Sequence, residues 1–423
     1  MRLFPCMATL AACLALSLPA AQARPAPHAV ARPAHGRAPV TILISIDGFR
    51  ASYLDRGETP VLSHLADTGV HAVMRPSFPS KTFPNHWALV TGRVPDHNGI
   101  VGNSMHDPAR PGETFTMATD DPFWWNEAPP IWRDAEKAGV RTATVFWPGS
   151  NVAWGGTMDY KDHKKVSGGT RPQDWLQYNM AITGAQRVGA VLDWLRRPAS
   201  ERPRFLTLYF DTVDSAGHQY GPDAPETNAA IADVDHTIGS LVAGLAAMGQ
   251  PANLVIVADH GMAATSKDRV VWLNDIADPA DFKTVETGTY AAITPVEGHE
   301  AALEKALLRP HDHLQCWSRD KIPARFRYGT NPRIAPYMCL ADVGWLVFDK
   351  APHEVEGGNH GYDNAAPEMA ALFVANGPAF IHGPKVASFD NVDIEPLLRD
   401  LLHLPPATDI DGDDRPFHAV LKP

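Results

Sequence analysis

Short apolar runs rich in β-branched residues alternate along this chain with longer stretches whose apolar positions recur at helical spacing. Val40–Ile46 is an unbroken run of the first kind. It ends at Asp47-Gly48 and reads as a buried strand feeding a loop. Thr59-Pro60, followed by Val61, Leu62 and Leu65 and closed by Gly69, predicts a capped helix. Further strands are expected at Arg141–Phe146, Phe205–Phe210, Asn253–Ala258 and Ala371–Ala375, and further helices at Trp175–Trp194, Glu226–Ala247 and Ile394–Leu402. Strands alternating with helices predict an α/β fold, a mostly parallel central sheet flanked by helices on both faces. Ligand sites in such sheets lie beyond the carboxyl ends of the strands. Residues 275–345 break the rhythm with many prolines and weak periodicity, and read as an insertion, a small subdomain near the site.

The N-terminal pattern is different. Residues 1–23 carry a basic start at Arg2, about a dozen apolar residues and the small-residue end Ala21-Gln22-Ala23, the form of a secretory signal cleaved before Arg24. Leu10–Cys13 mimics a lipoprotein signal, but the apolar run continues past Cys13. Residues 24–38, rich in Pro, Ala, Arg and His, read as a disordered linker, which leaves 39–423 as the folded domain. Export implies a periplasmic or secreted protein. It removes Cys6 and Cys13 and leaves Cys316 and Cys339, which an oxidising compartment would join as a disulfide; two buried free thiols are the alternative. No later segment is long and apolar enough to span a bilayer.

Composition narrows the chemistry. The chain has 423 residues, 37 Lys+Arg against 48 Asp+Glu, which argues against a stable nucleic-acid partner. It does not argue against a small phosphate ester, because bound cations can reverse a local field. Nineteen histidines beside four cysteines make imidazole and carboxylate the expected metal ligands.

Three of the expected strands end in aspartate: Ile46-Asp47, Phe210-Asp211 continuing to Asp214, and Ala258-Asp259. One such residue is ordinarily a turn or cap. Three at the carboxyl ends of parallel strands would converge on one edge, repel one another and call for cations. Asp214 and His218 are four apart, Asp259 adjoins His260, and His360 lies in a glycine-rich turn; His360 alone is weak evidence. Together these residues favour divalent zinc. Two adjacent sites suit phosphoryl transfer, one metal holding the nucleophile and the other a substrate oxygen. Thr82, just before a proline-started helix, is a candidate nucleophile activated by the helix dipole and a metal; local spacing alone favours a plain N-cap.

Taken together, these pieces resemble the nucleotide pyrophosphatase/phosphodiesterases of the alkaline phosphatase superfamily. The matching segments are Asp47–Arg50, Lys81–His86, Thr91-Gly92 with His97–Ile100, Val101–Asn103, Phe146–Ser150, Asp214–His218 with Gly221-Pro222, Asp259–Met262 and Gly358–Asp363, in family order from about residue 40 to 405. The likeness is to compact bacterial members having only the catalytic domain. The resemblance implies an alkaline-phosphatase-like fold and two zinc ions. Asp214, His218 and His360 would hold one, and Asp47, Thr82, Asp259 and His260 the other. It makes Thr82 the nucleophile, forming a covalent nucleotidyl-threonine that water hydrolyses. Asn103 would hydrogen-bond a nonbridging phosphoryl oxygen, and Phe83 and Tyr209 would contact the base or other organic group. The charge of two zinc ions balances three carboxylates and a threonine alkoxide, so an anionic diester can enter.

The implied activity is hydrolysis of nucleotide phosphodiester or pyrophosphate bonds, releasing nucleoside 5′-monophosphates. Asn151–Trp154 lacks the Lys/Arg pair with which related phosphomonoesterases grip a dianion, which favours diesters. Ser77–Lys81 faintly echoes a sulfatase motif, but lysine stands where arginine is required. A phosphodiesterase of the same fold acting on phospholipid headgroups or glycerophosphodiesters is the alternative enzyme. A metal-stabilised binding protein without turnover is the alternative outside catalysis, and the intact Thr82 and ligand set speak against it. Oligomeric state is not legible in the sequence.

Overall fold

Val40–Ile46 is buried at every position, as an unbroken apolar run requires when both faces of a sheet are covered. The structure, a computed structural model, describes residues 36–162, 164–351, 355–383 and 385–422. The expected export signal, 1–23, and most of the expected linker, 24–38, lie outside the described residues.

Eight strands form the central sheet: β1 (Val40–Ile46), β2 (Val70–Arg75), β3 (Thr142–Val145), β4 (Asp174–Leu176), β5 (Phe205–Phe210), β6 (Ala252–Val257), β7 (Ala371–Asn376) and β8 (Phe389–Asp390). They lie in the order β8-β2-β7-β6-β1-β5-β3-β4. β1 sits between β5 and β6 and is parallel to both. β7 is antiparallel to its neighbours β6 and β2. The sheet is otherwise parallel, so it is mostly parallel as the alternation predicts. The chain reaches β7 from His360, which stands at the carboxyl edge of the parallel strands, so it enters the sheet from that edge and runs backwards without a crossover helix.

Helix Ile394–Leu402 has the bounds its apolar spacing predicts, and Pro225–Ala247 differs from expectation by one residue. Helix Pro60–Thr68 begins as expected, but Thr59 makes no side-chain cap. Asp235 of helix Pro225–Ala247 instead accepts the Val61 and Leu62 N–H groups at 3.0 and 2.7 Å, satisfying two orphan donors from outside the helix. The helix expected over Trp175–Trp194 is divided. Asp174–Leu176 pairs with β3 as an edge strand, and the helix runs from Gly184 to Arg196. A reciprocal capping box of Thr183 and Gln186 sets its start.

The segment read as an insertion builds a four-stranded antiparallel sheet from Phe282–Glu286, Tyr290–Pro295, Leu314–Ser318 and Tyr337–Ala341, with helix Glu300–Leu307. It has its own apolar cluster, including Phe282, Ile293, Leu303 and Leu307. Cys316 lies directly opposite Cys339 on adjacent strands and the two form a disulfide. No described helix is long and apolar enough to cross a membrane.

Candidate active site

Each parallel strand at the middle of the sheet delivers a ligand where it ends. β1 is followed by Asp47 and then Gly48, whose φ of +67° and close approach to Asp214 both require glycine: a Cβ there would lie 2.9 Å from the Asp214 Cα. β5 is followed by Asp211 and helix Thr212–Tyr220, which places Asp214 and His218 on one face, one turn apart. β6 leads to Asp259 and His260. The short strand Gly357–Asn359 pairs with Ala263–Thr265 and sets His360 beside them, its ring stacked on His260 at 3.5 Å.

The geometry is that of a metal-ligand cage. His218, His260 and His360 each hydrogen-bond a backbone carbonyl through Nδ1, those of Gly358, Gly261 and Ser80, at 2.9, 3.0 and 2.9 Å. A carbonyl only accepts, so Nδ1 carries the hydrogen and Nε2 presents a lone pair. The lone pairs converge: Nε2 of His218 and His360 are 3.1 Å apart, and Nε2 of His260 lies 2.9 Å from Asp259 Oδ2 and 3.5 Å from Asp47 Oδ1. Asp214 lies 3.4 Å from His218 Nε2 and 3.6 Å from that of His360. Asp47 Oδ1, Asp214 Oδ1 and Asp259 Oδ2 are buried with no hydrogen bond from any of the described residues. Three orphaned carboxylate oxygens facing three imidazole lone pairs are costly as they stand and are what divalent cations would satisfy. Asp214, His260 and His360 form one group able to hold an ion, and Asp47, Asp259 and His260 a second.

The charges respond to one another. Burial, then the carboxylates of Asp259 and Asp214, push the Asp47 pKa well above the usual range. Burial would do the same to Asp259, but the imidazoles of His260 and His86 outweigh it and hold Asp259 well below. His260 is raised, because the Asp259 carboxylate overcomes burial. His360 is held well down by burial and by the His260, Lys81 and His218 charges, so it is a neutral donor.

Thr82 stands against this cage, its Oγ1 3.2 Å from His260 Nε2. It is the first residue of helix Thr82–Thr91, with Lys81 extended before it and no side-chain cap, so the N-cap alternative does not apply. Nearly the whole helix is buried, and Trp87 packs on Trp125 and Trp132. It ends at Gly92, in the left-handed region, whose N–H returns to Ala88 O. Asn103 Oδ1 accepts the Phe83 N–H at 3.0 Å, which fixes its amide beside Thr82. The Phe83 ring is half-buried against Phe115 and Trp125. Tyr209, expected at a substrate's organic group, is 8% exposed and donates its hydroxyl to Asp47 Oδ2 at 2.6 Å.

Sequence reasoning left several residues without a role. His86, one turn along from Thr82, bonds the Thr82 carbonyl at 2.9 Å through Nδ1, lies 3.3 Å from Asp259 Oδ2 and meets the Ser45 hydroxyl at 2.8 Å through Nε2. Its i,i+4 spacing from Thr82 was a usable signal. Lys81 is buried; burial pulls its pKa down while the Glu286 and Asp214 carboxylates oppose that. Glu286 accepts from the Tyr290 hydroxyl at 2.7 Å and the Ser104 N–H at 3.3 Å, bringing the antiparallel subdomain against the Asn103 loop. Tyr178, 44% exposed, stands beside Tyr209 with its hydroxyl on Asp211 at 2.8 Å. Nothing in their local spacing marked Glu286 or Tyr290, because long-range folding alone brings them here.

Comparison with known proteins agrees with this geometry. The family model for type I phosphodiesterase/nucleotide pyrophosphatase matches residues 41–363. Ectonucleotide pyrophosphatase/phosphodiesterase family member 1 of Rattus norvegicus is 36% identical over 409 residues, 92% of this chain, which spans 44% of that protein. A bis(5′-adenosyl)-triphosphatase of Xenopus laevis is 36% identical over 371 residues, covering 86% of this chain and 78% of that one. Among solved structures, an inactive threonine-to-alanine variant of murine ectonucleotide pyrophosphatase/phosphodiesterase 5 in complex with AMP superposes with a TM-score of 0.84 at 32% identity, covering 91% of this chain and all of that one.

Proposed function

The chain belongs to the type I phosphodiesterase/nucleotide pyrophosphatase family, and from that membership we propose an exported, two-zinc hydrolase that cleaves nucleotide phosphodiester and pyrophosphate bonds through Thr82. The observation that carries the reading is the Thr82 hydroxyl, 3.2 Å from His260 Nε2, set against buried carboxylate oxygens that no group among the described residues satisfies. Zinc is the ion the mixed imidazole and carboxylate donors suit. Asp214, His218 and His360 would hold one ion, and Asp47, Thr82, Asp259 and His260 the other. When bound, such ions supply Lewis acidity and lower the pKa of a hydroxyl among their ligands.

The chain's own residues do the rest. The Thr82 hydroxyl gives up its proton to solvent as Oγ1 attacks phosphorus; the Oγ1–P bond forms, the bond to the leaving oxygen breaks, and that oxygen departs with the electron pair, taking a proton from solvent where its basicity requires one. Water then cleaves the nucleotidyl-threonine and releases the nucleoside 5′-monophosphate. The helix N-terminus behind Thr82 favours the developing negative charge. Asn103, held by the Phe83 N–H, turns its amide NH₂ toward a nonbridging oxygen. His86 holds both the Thr82 carbonyl and the neighbourhood of Asp259, which keeps nucleophile and ligand in register. Phe83 supplies an aromatic surface for the nucleobase. The AMP in the murine relative's complex supports a nucleotide in this cleft. Export is supported by the pattern of residues 1–23 and by the Cys316–Cys339 disulfide, which an oxidising compartment preserves.

A turnover panel of nucleoside triphosphates, dinucleoside polyphosphates, a nucleoside 5′-aryl diester, monoesters and lysophospholipids, run beside elemental analysis of the dialysed protein, tests this. Nucleotide diesters and anhydrides turned over with about two zinc ions per chain are expected. Monoester preference, or an active protein without transition metal, would refute it.

A further inference from the structure

The loop Gly99–Ser104, which carries Asn103, belongs to no strand or helix. Its backbone is held instead by side chains of the antiparallel subdomain. The Arg333 guanidinium donates to Gly99 O at 2.9 Å, the Tyr328 hydroxyl donates to Val101 O at 2.8 Å, and Glu286 Oε2 accepts the Ser104 N–H at 3.3 Å. These partners stand 234, 227 and 182 positions away in sequence. Among the described residues no other group donates to the Val101 carbonyl. At Gly102 a Cβ would lie 2.8 Å from Glu286 Oε2, so the loop backbone presses directly on the subdomain.

The holding groups are themselves fixed. Tyr328 and Arg333 are buried. The Tyr328 ring meets Phe78 edge-on with centroids 5.4 Å apart, and Arg333 also donates to Trp124 O at 2.8 Å and to Asp107 Oδ2 at 2.7 Å. Between them, the N–H groups of Gly329, Thr330 and Asn331 converge on the Asp96 carboxylate at 3.1, 2.9 and 2.8 Å, and the Thr330 hydroxyl joins them at 2.6 Å. Asp96 lies on the short helix Pro95–Asn98 that leads into the loop. Residues 328–333 therefore grip the loop both at its entry and along its length. An amide stabilises a developing charge only where it is held in place, and a misplacement of about 1 Å can cost about 100-fold in rate. A loop without a hydrogen-bond ladder of its own takes that precision from what it packs against.

Resting on the hydrolase reading above and its role for Asn103, we propose that the antiparallel subdomain is the positioning element for Asn103, with Tyr328 and Arg333 as positioning residues. Docking of residues 328–333 sets where the Asn103 amide stands relative to Thr82. It acts on stabilisation of the transition state and leaves substrate binding nearly unchanged.

The test is a double-mutant cycle on the metal-loaded enzyme, with Tyr328→Phe and Asn103→Ala made singly and together. The readouts are kcat and KM for a nucleoside 5′-aryl diester, beside thermal unfolding. Asn103→Ala should lower kcat by about 10²–10³-fold. Tyr328→Phe removes only the hydroxyl on Val101 and should lower kcat by about tenfold with KM within about threefold. In the Asn103→Ala background the same change should cost less than about twofold, because the group it positions is gone. An equal loss in both backgrounds, or no loss in the single variant, would overturn the proposal and leave Tyr328 a structural residue. If Tyr328→Phe does not fold, Thr330→Val, which removes an exposed donor to Asp96, is judged by the same cycle. A loss of about threefold that vanishes beside Asn103→Ala is then expected, and an equal or absent loss overturns the proposal. A wild type that turns over no nucleotide ester, or an Asn103→Ala variant as fast as wild type, would sink the underlying reading instead. Hydrogen exchange would still judge the subdomain's hold: Tyr328→Phe should speed exchange of the amides of residues 99–104 by about tenfold or more and leave Phe205–Phe210 unchanged. Equal rates at 99–104 would overturn it.

Discussion

Tyr209 and Asp47, 162 residues apart in sequence, are joined by a 2.6 Å hydrogen bond from the phenol to the carboxylate. Burial, then the neighbouring Asp47 charge, drive the Tyr209 pKa well up, so the phenol stays a donor. Partners that orient a ligand in this way typically change metal affinity or activity by about 10–100-fold. Tyr209→Phe keeps the ring and removes only the donor. It should weaken metal retention by about that factor, measured by competition with a chromophoric chelator, while KM changes little. Unchanged retention with a raised KM would place Tyr209 at the substrate instead.

Thr82→Ala should remove nearly all turnover and leave the fold intact, because only a hydroxyl and a methyl at the helix start are lost. Thr82→Ser should retain part of the activity. The check is steady-state kinetics beside thermal unfolding of both variants. An alanine variant turning over near the wild-type rate would show that another group is the nucleophile.

Metal affinity should rise with pH. Burial and the Asp259 and Asp214 carboxylates raise the Asp47 pKa, and His260 is raised because Asp259 outweighs burial, so the empty site holds protons that a cation must displace. Each displaced proton makes affinity climb by about tenfold per pH unit below the relevant pKa. Chelator competition between about pH 5.5 and 8 reads this directly. A flat profile would mean that these carboxylates and imidazoles are not the ligands.

Glu395 offers a stability test away from the site. Its Oε1 accepts Arg399 Nε at 2.5 Å, but Oε2 is buried without a partner. Burial pushes its pKa from 4.5 up to about 7 despite the pull of Arg399. A carboxyl whose folded pKa is raised binds more protons folded than unfolded across that window, so its contribution falls as pH rises through it. Glu395→Gln does not titrate. Between pH 5 and 8 its stability relative to wild type should therefore move in its favour by on the order of 1–3 kcal/mol, read by denaturant unfolding. A constant difference would refute the assignment.

Much of the fold was written in local pattern. Phe205–Phe210 and Ile394–Leu402 occupy the residues their periodicity predicts, because a run buried on both faces or an amphipathic stripe leaves a direct imprint on the sequence. The residues of the two groups able to hold an ion were legible for a related reason. Asp47, Asp214 and Asp259 each follow a strand closely, and parallel strands bring their carboxyl ends to one edge. The division of the Trp175–Trp194 stretch was not legible, since an edge strand of three residues carries too little periodicity to be told from the start of a helix.

Tertiary structure alone decided the rest. That β7 runs antiparallel depends on where the chain re-enters the sheet, not on what β7 contains. The hydrogen-bond partners of the three histidines, which settle that each offers Nε2, are carbonyls whose positions no spacing rule gives. Tyr209 is a different lesson: family resemblance gave it a substrate contact, and folding placed its hydroxyl on Asp47. Lys81 is adjacent to Thr82 in sequence, yet its environment comes from Glu286, Tyr290 and Gly361, all more than 200 positions away. Sequence specifies which chemical groups exist and which local element carries each; the charges and lone pairs each group faces are set by contacts between distant segments, and those contacts exist only in the folded chain.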